Sequence, residues 1–399
     1  MKQLLSFTLL FLFAISVASQ KKEIVKTISN SYTISSKALD QDRTIDIYLP
    51  PSYHNDTEKS YPVLYVLDGQ EYFLHGIAYQ DMLRFRDKTP EFIVVGIQTD
   101  RQKRRVLFYA ESTKFNAFLA TELIPYIDTK YRTAKEKERI FFGWEMAAGL
   151  GLEILAKHKA LFSGYILASP SHKNQRIKDI QQLPKEVTDQ FLLVSAGKEE
   201  SWIIKDSLLL SLVGAKESWR FALYDREDHY TTPLKTIHEG LSDYFSDYKP
   251  IRLRSLKAYD EYGGLDALSV YYKKRGERYG ISTDIHGETK HFLIFNALSE
   301  DNIERFDFYF TKFDDFAPSI SRDFWVNRYA KFYIKHHEND KALALLKLGL
   351  KKFPKSTLLL ETIGDFYSAN KKQSKAKRYY KKALAINPEL TSVIEKLKD

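Results

Sequence analysis

Eight short apolar runs, separated by helix-like stretches, constrain this chain more than any other feature. They are Ser31–Ser35, Thr44–Leu49, Pro62–Leu67, Phe92–Ile97, Arg139–Gly143, Gly164–Ala168, Phe191–Ala196 and Arg220–Tyr224. The first two alternate apolar with polar residues, as a hairpin does when one face is solvated. Most of the later ones are nearly continuous, which suits parallel strands covered on both faces. Between them Lys114–Tyr131 and Ala147–His158 carry helical spacing. Strand and helix in alternation predict a doubly wound α/β sheet over about residues 24–248.

Pro250 marks a boundary, and residues 250–399 read as all-α. Leu265–Tyr279, Lys290–Asn296, Ile303–Phe313 and Asp323–His337 have helical patterns. Over about 323–399 the sequence repeats with a period of 34: Ala330 pairs with Gly364, Tyr333 with Tyr367, Ala342 with Ala376, Leu350 with Leu384 and Pro354 with Pro388. A small residue in the first helix, an Ala in the second and a closing Pro at that period resemble the tetratricopeptide repeat. The interdomain aromatics Phe306, Phe308, Tyr309, Phe310, Phe313 and Phe316 are expected to be packing between helical layers. At the other end, Lys2, the apolar stretch Leu4–Val17 and the small residues Ser16–Ser19 form a secretory signal over residues 1–19. The stretch is shorter than the roughly 20 residues of a membrane span. Cleavage near Ala18 or Ser19 is expected, with a periplasmic or secreted product.

The net charge of +9 falls mainly on the tail, because residues 340–399 hold 13 Lys and one Arg against six acidic residues. In an exported protein that suits an acidic protein segment or an envelope surface rather than nucleic acid. Without cysteine there is no thiol nucleophile or thiolate metal site. Neither a Walker loop nor a GxGxxG turn is present, and His75, His158, His172, His238, His286, His291, His336 and His337 lack ligand spacing. No cofactor or metal is therefore expected.

A sheet that begins with a hairpin and continues doubly wound suggests an α/β-hydrolase, whose nucleophile sits on a sharp strand-to-helix turn between small residues. The run Gly143-Trp144-Glu145-Met146-Ala147-Ala148-Gly149 stands at the right place, and Gly143 and Ala147 flank the central Glu145 at two residues' distance. Four other stretches extend the pattern: YPVLYVLDGQ over 61–70, Phe92–Asp100 followed by Arg101, Glu122–Asp128, and Ala168-Ser169-Pro170-Ser171. Asp228-His229 with Pro233 closes it. In this order they resemble the esterase family that includes enterochelin esterase, ferri-bacillibactin esterase and esterase D, over roughly residues 30–248.

The resemblance implies an α/β-hydrolase fold with the nucleophile position on Glu145, the base on His229 and the acid on Glu200, with Glu199 beside it. It also implies oxyanion donors in the backbone of Met146 and of the Asp68, Gly69 and Gln70 turn. Arg101 and Arg104, in a basic run with Lys103 and Arg105, would border the mouth, either facing an anionic ligand or solvated. The family's GHSxGG elbow has become Trp144, Glu145 and an Ala147-Ala148 pair, and the acidic continuation after Arg101 has become Gln102-Lys103-Arg104-Arg105.

A carboxylate at 145 has no proton to hand to a histidine, and it repels an arriving oxyanion. An ion pair with His229 is expected in its place, with the histidine held protonated. The preferred reading is a catalytically degenerate binding or scaffolding module, a pseudoenzyme, taking a small ester-like ligand and a protein partner through the basic repeats. The alternatives are an active carboxylic-ester hydrolase, of the siderophore-ester kind that the resemblance implies, or a hydrolase with Glu145 as carboxylate nucleophile. Dehalogenases and epoxide hydrolases of related folds use aspartate in that way. Ser169 and Ser171 are expected to form turns.

Overall fold

The computed structural model describes residues 27–182, 190–213, 216 and 218–398, so the expected leader lies outside the described residues. Eight strands form one sheet: β1 (Asn30–Ser36), β2 (Gln41–Tyr48), β3 (Val63–Leu67), β4 (Ile93–Ile97), β5 (Arg139–Trp144), β6 (Gly164–Ala168), β7 (Phe191–Gly197) and β8 (Trp219–Tyr224). Their order is β1-β2-β4-β3-β5-β6-β7-β8. β1 and β2 form an antiparallel hairpin, β2 is antiparallel to β4, and β3 to β8 run parallel. Every residue of β3, β4, β5 and β6 is buried. Helices cover both faces, so a continuous apolar run is the stable pattern there. Each expected strand is present, with ends shifted by up to three residues. The helix expected over 114–131 contains a π-helical segment, Phe118–Leu123, just ahead of Pro125. Proline brings no amide hydrogen to the ladder, and the wider turn accommodates that loss.

Strand order reverses between β3 and β5, which are neighbours paired in parallel. Their carboxyl ends open a crevice at this switch point, the usual place for a ligand on an open α/β sheet. The helices that matter to the site are α1 (Gly69–Leu83) after β3, α2 (Met146–Lys157) after β5 and α3 (Thr232–Tyr244) after β8.

The helical half begins beyond Tyr248. Its α4 (Gly264–Tyr279) reaches back to the sheet domain, and Tyr279 joins the apolar cluster of Leu241, Tyr244 and Phe245. Arg278 donates to both carboxylate oxygens of buried Glu138, at 2.6 and 2.9 Å, and to Asp247 at 3.0 Å. Tyr244 donates to Glu138 at 2.8 Å. Removing one partner of such a pair strands the other charge. Arg278→Met is therefore expected to cost about 2 to 3 kcal/mol, the low end for a buried pair because Arg278 is partly exposed. Urea unfolding measures the loss, and an unchanged midpoint would mean that the seam adds no stability.

Helices at Gly287–Ser299, Ile303–Lys312 and Phe316–Ser319 come next, and then α5 (Asp323–Lys335), α6 (Asn339–Lys352), α7 (Thr357–Ala369) and α8 (Gln373–Ile386), with α9 (Thr391–Lys398) after them. α5 pairs with α6 and α7 with α8. Positions 34 apart have matching environments: Ala342 and Ala376 are fully buried, and Tyr333 and Tyr367 are nearly so. Phe306, Tyr309, Phe313 and Phe316 are buried in this core. Phe306 packs on Tyr329, Phe332 and Tyr333, whereas Phe308 is about half exposed.

Candidate active site

The turn between β5 and α2 is set by local backbone chemistry. Glu145 has φ 54° and ψ −110°, a conformation costly for any residue with a side chain. Its N–H donates to the Ala168 carbonyl at 2.9 Å, and its own carbonyl accepts from Gly149 at 2.9 Å and Ser171 at 3.0 Å. Gly143 is required here, because a Cβ would lie 2.7 to 2.9 Å from the backbone of Ala147 and Ala148. Met146 begins α2, so its N–H has no acceptor within the helix.

The neighbouring strand ends in the same way. Asp68, at φ 52°, caps α1 and is only 1% exposed. Gly69 lies against β4, where a Cβ would come within 2.9 Å of Gly96 backbone atoms. The Gln70 side-chain oxygen accepts from the Thr99 N–H at 2.8 Å, tying this turn to the segment after β4.

Two side-chain groups converge on these turns. The first is the histidine group. His229 Nδ1 lies 2.6 Å from Glu200 Oε1, and Glu200 Oε2 accepts from Ser169 Oγ and from the Gly197 N–H, each at 2.7 Å. Burial opposes the charge on Glu200, but hydrogen bonds from His229, Ser169 and Gly197 outweigh it and hold the carboxyl below its usual range. The hydrogen bond to Glu200 raises His229, against the opposing effect of burial. Of the two acids in question, Glu200 is buried beside His229 and Glu199 is exposed. Trp144 fixes the histidine loop, since its indole N–H donates to the His229 carbonyl at 3.0 Å and the two rings lie 4.9 Å apart.

Folding stability from the raised His229 is fully present below the ordinary value of 6.5, and it is lost as pH rises through the folded value. Glu200→Gln is expected to move His229 back down, which an NMR titration of the imidazole Cε1 proton would follow. An unmoved titration would mean that Glu200 does not set it.

The second group corrects the expected pairing. Glu145 does not bond to His229. Its Oε2 accepts from Arg104 at 2.8 Å, and Oε1 has no partner among the described residues. The same guanidinium donates through Nε to both oxygens of Asp68, at 3.1 and 3.2 Å, and through its second terminal nitrogen to the Trp144 carbonyl at 3.2 Å. Arg104 is nearer than His229 and permanently charged, so it takes the carboxylate. Burial pushes the Asp68 carboxyl up to about 6, although Arg104 pulls it down. Arg101 instead points outward, 80% exposed, onto Glu71 at 2.7 Å. Two of the four cations in the basic run are thus already matched by carboxylates.

Glu71, Tyr72, Arg101, Arg104, Trp144 and Tyr230 line a cleft of about 390 Å³ above this assembly. Three of its six lining side chains are aromatic, two are arginines and one is a carboxylate. Ser169, expected as a turn residue, does sit at a turn, with φ 48°, but its hydroxyl also supports Glu200. The indole bond of Trp144 was likewise not foreseen. The signal for it was the replacement of the motif's histidine by a larger donor.

A family profile described as Putative esterase matches residues 36–230. Among solved structures, an IroE-like serine hydrolase from Shewanella oneidensis is similar at TM-score 0.50 and 20% identity, over 72% of this chain and 99% of its own. An uncharacterised protein from Capnocytophaga ochracea is similar at TM-score 0.53 and 19% identity, over 92% of this chain and 99% of its own. The likeness in fold therefore extends beyond the sheet into the helical half. No curated protein sequence matches the chain.

Proposed function

This chain belongs to the Putative esterase family through residues 36–230, and from that premise we propose that the cleft binds a small ester-like molecule without hydrolysing it. One observation carries the reading. At the turn where the family's serine falls by resemblance, a carboxylate is held by Arg104, and Arg104 is held in turn by Asp68. Acyl transfer needs a hydroxyl that passes its proton to the histidine, and a site that welcomes a developing negative charge. Glu145 has no such proton. The guanidinium that could have stabilised an oxyanion is spent on two carboxylates.

The same bond speaks against Glu145 as a nucleophile, because an oxygen accepting from arginine is less basic and less free to attack. The other oxygen is free but belongs to the same neutralised carboxylate. Ser169 is no substitute, being 1% exposed with its hydroxyl committed to Glu200. What remains is a cleft with three aromatic walls, Tyr72, Trp144 and Tyr230, which is the equipment of a binding site. The 34-residue periodicity supports a tetratricopeptide-like reading of α5 to α8, and the N-terminal pattern supports export to the periplasm or beyond.

Incubation with a panel of aryl and alkyl esters tests the proposal by separating binding from turnover. Saturable binding by calorimetry, with the ester recovered intact by mass spectrometry, is expected. Conversion of many equivalents of ester per protein would overturn it.

A further inference from the structure

We propose that the solvent face of α8 is a docking surface for an anionic lipid bilayer. This goes beyond the binding role of the cleft and rests on a different part of the molecule. From Phe366 to Pro388 the chain has no acidic residue, yet it carries Lys371, Lys372, Lys375, Lys377, Arg378, Lys381 and Lys382, all exposed. Helical geometry sorts them. Ala376, Tyr380 and Ala383 are buried and define the inward side of α8. At 100° per residue, Lys377, Lys381, Arg378, Lys382 and Lys375 fan across the opposite side over an arc of about 160°.

Among the described residues none of these seven cations makes an ion pair. Lys375 and Lys382 only lie over the rings of Tyr367 and Tyr379. Elsewhere the chain balances exposed helical lysines with acids one turn away, as in Lys257–Glu261 and Lys273–Glu277. On α8 the one-turn pairs are Lys377 with Lys381 and Arg378 with Lys382, like charges that destabilise an isolated helix. The face thus keeps a repulsion that an external anionic surface would relieve.

Its shape favours a bilayer over a polypeptide or a nucleic acid. The helical cations spread over one face about 10 Å long from Lys375 to Lys382 at 1.5 Å per residue, with Lys371 and Lys372 just ahead of the first turn, rather than lining a groove. No aromatic ring on the outward arc is available to stack on bases. Ile386, 42% exposed, stands just past the Lys375 edge of this arc, about 40° from Lys382, and offers an aliphatic group at headgroup depth. Each cation near an anionic leaflet is expected to raise partitioning about fivefold, with screening by salt.

The test is co-sedimentation of the chain from Gln20 onward, since Leu4–Val17 would itself enter bilayers. The vesicles are phosphatidylcholine alone, or phosphatidylcholine with 40% phosphatidylglycerol (chosen as roughly the charge of an anionic membrane). Binding only to the anionic vesicles is expected, lost in high salt and lowered at least a hundredfold in Lys377→Gln/Arg378→Gln/Lys381→Gln/Lys382→Gln. That variant should fold at least as well, because it removes repulsion, and circular dichroism checks this. Lys257→Gln/Lys273→Gln should bind as the parent does. Three results would each overturn the proposal: no binding to anionic vesicles, equal loss in both variants, or tighter binding to poly-glutamate or duplex DNA than to the vesicles.

Discussion

Glu145→Ser is expected to raise the hydrolysis of p-nitrophenyl esters at least about a hundredfold over wild type. The strained turn at 145 is already present, Gly143 already allows its tightness, and Met146 already offers a free N–H at the head of α2. His229 is already oriented by Glu200, with Ser169 and Gly197 behind it. Serine would restore the missing proton and remove the negative charge from the slot. The gain should stop short of the full triad value of about 10⁴ or more, because Arg104 would still lie on Asp68 and the Trp144 carbonyl, and because Ala147 and Ala148 crowd the turn. The new activity should vanish in Glu145→Ser/His229→Ala. A folded, inactive Glu145→Ser protein would sink the idea that this turn retains a usable nucleophile position.

Arg104→Met should be the most damaging single change in the sheet domain, costing about 3 to 5 kcal/mol at pH 7.5. It strands Asp68, which is 1% exposed, and leaves Glu145 without its partner. The pH dependence has a definite sign. Asp68 titrates at about 6 in the fold against an ordinary 3.8, so between those values the folded chain holds more protons than the unfolded one. Stability from this group is therefore greatest below about pH 4 and falls as pH rises through 6. The total is about 3 kcal/mol, at 1.36 kcal/mol per pH unit. Losing the arginine should raise Asp68 further, so the variant should regain stability at pH 5. Asp68→Asn/Arg104→Met should recover much of the loss at pH 7.5. Urea midpoints at the two pH values measure all of this, and an Arg104→Met protein as stable as the parent at pH 7.5 would contradict it.

The strands were legible because a strand buried on both faces must be a continuous apolar run, and neighbouring sequence carries that signal by itself. Glu145, His229 and Glu200 were singled out through the resemblance of their motifs to the esterase family, and the structure brings His229 and Glu200 together. The partner of Glu145 was not. Arg104 lies 41 residues upstream, in a run that reads as a surface loop, and its inward turn depends on the buried Asp68 at the end of another strand. A signal did exist. The motif departs at Glu145 towards negative and at Gln102–Arg105 towards positive, and two departures of opposite charge at one crevice can compensate each other. The Arg278–Glu138 seam spans 140 residues and left no local trace, because each side alone looks like an ordinary surface charge.

Binding without turnover in the cleft is tested most sharply by comparing wild type with His229→Ala on a fluorogenic ester, with Glu145→Ser as the positive control. Wild type and His229→Ala should be indistinguishable from each other and from buffer, while Glu145→Ser should be clearly faster. A wild-type rate that exceeds His229→Ala by about tenfold or more, roughly 1.4 kcal/mol of transition-state stabilisation, would contradict it.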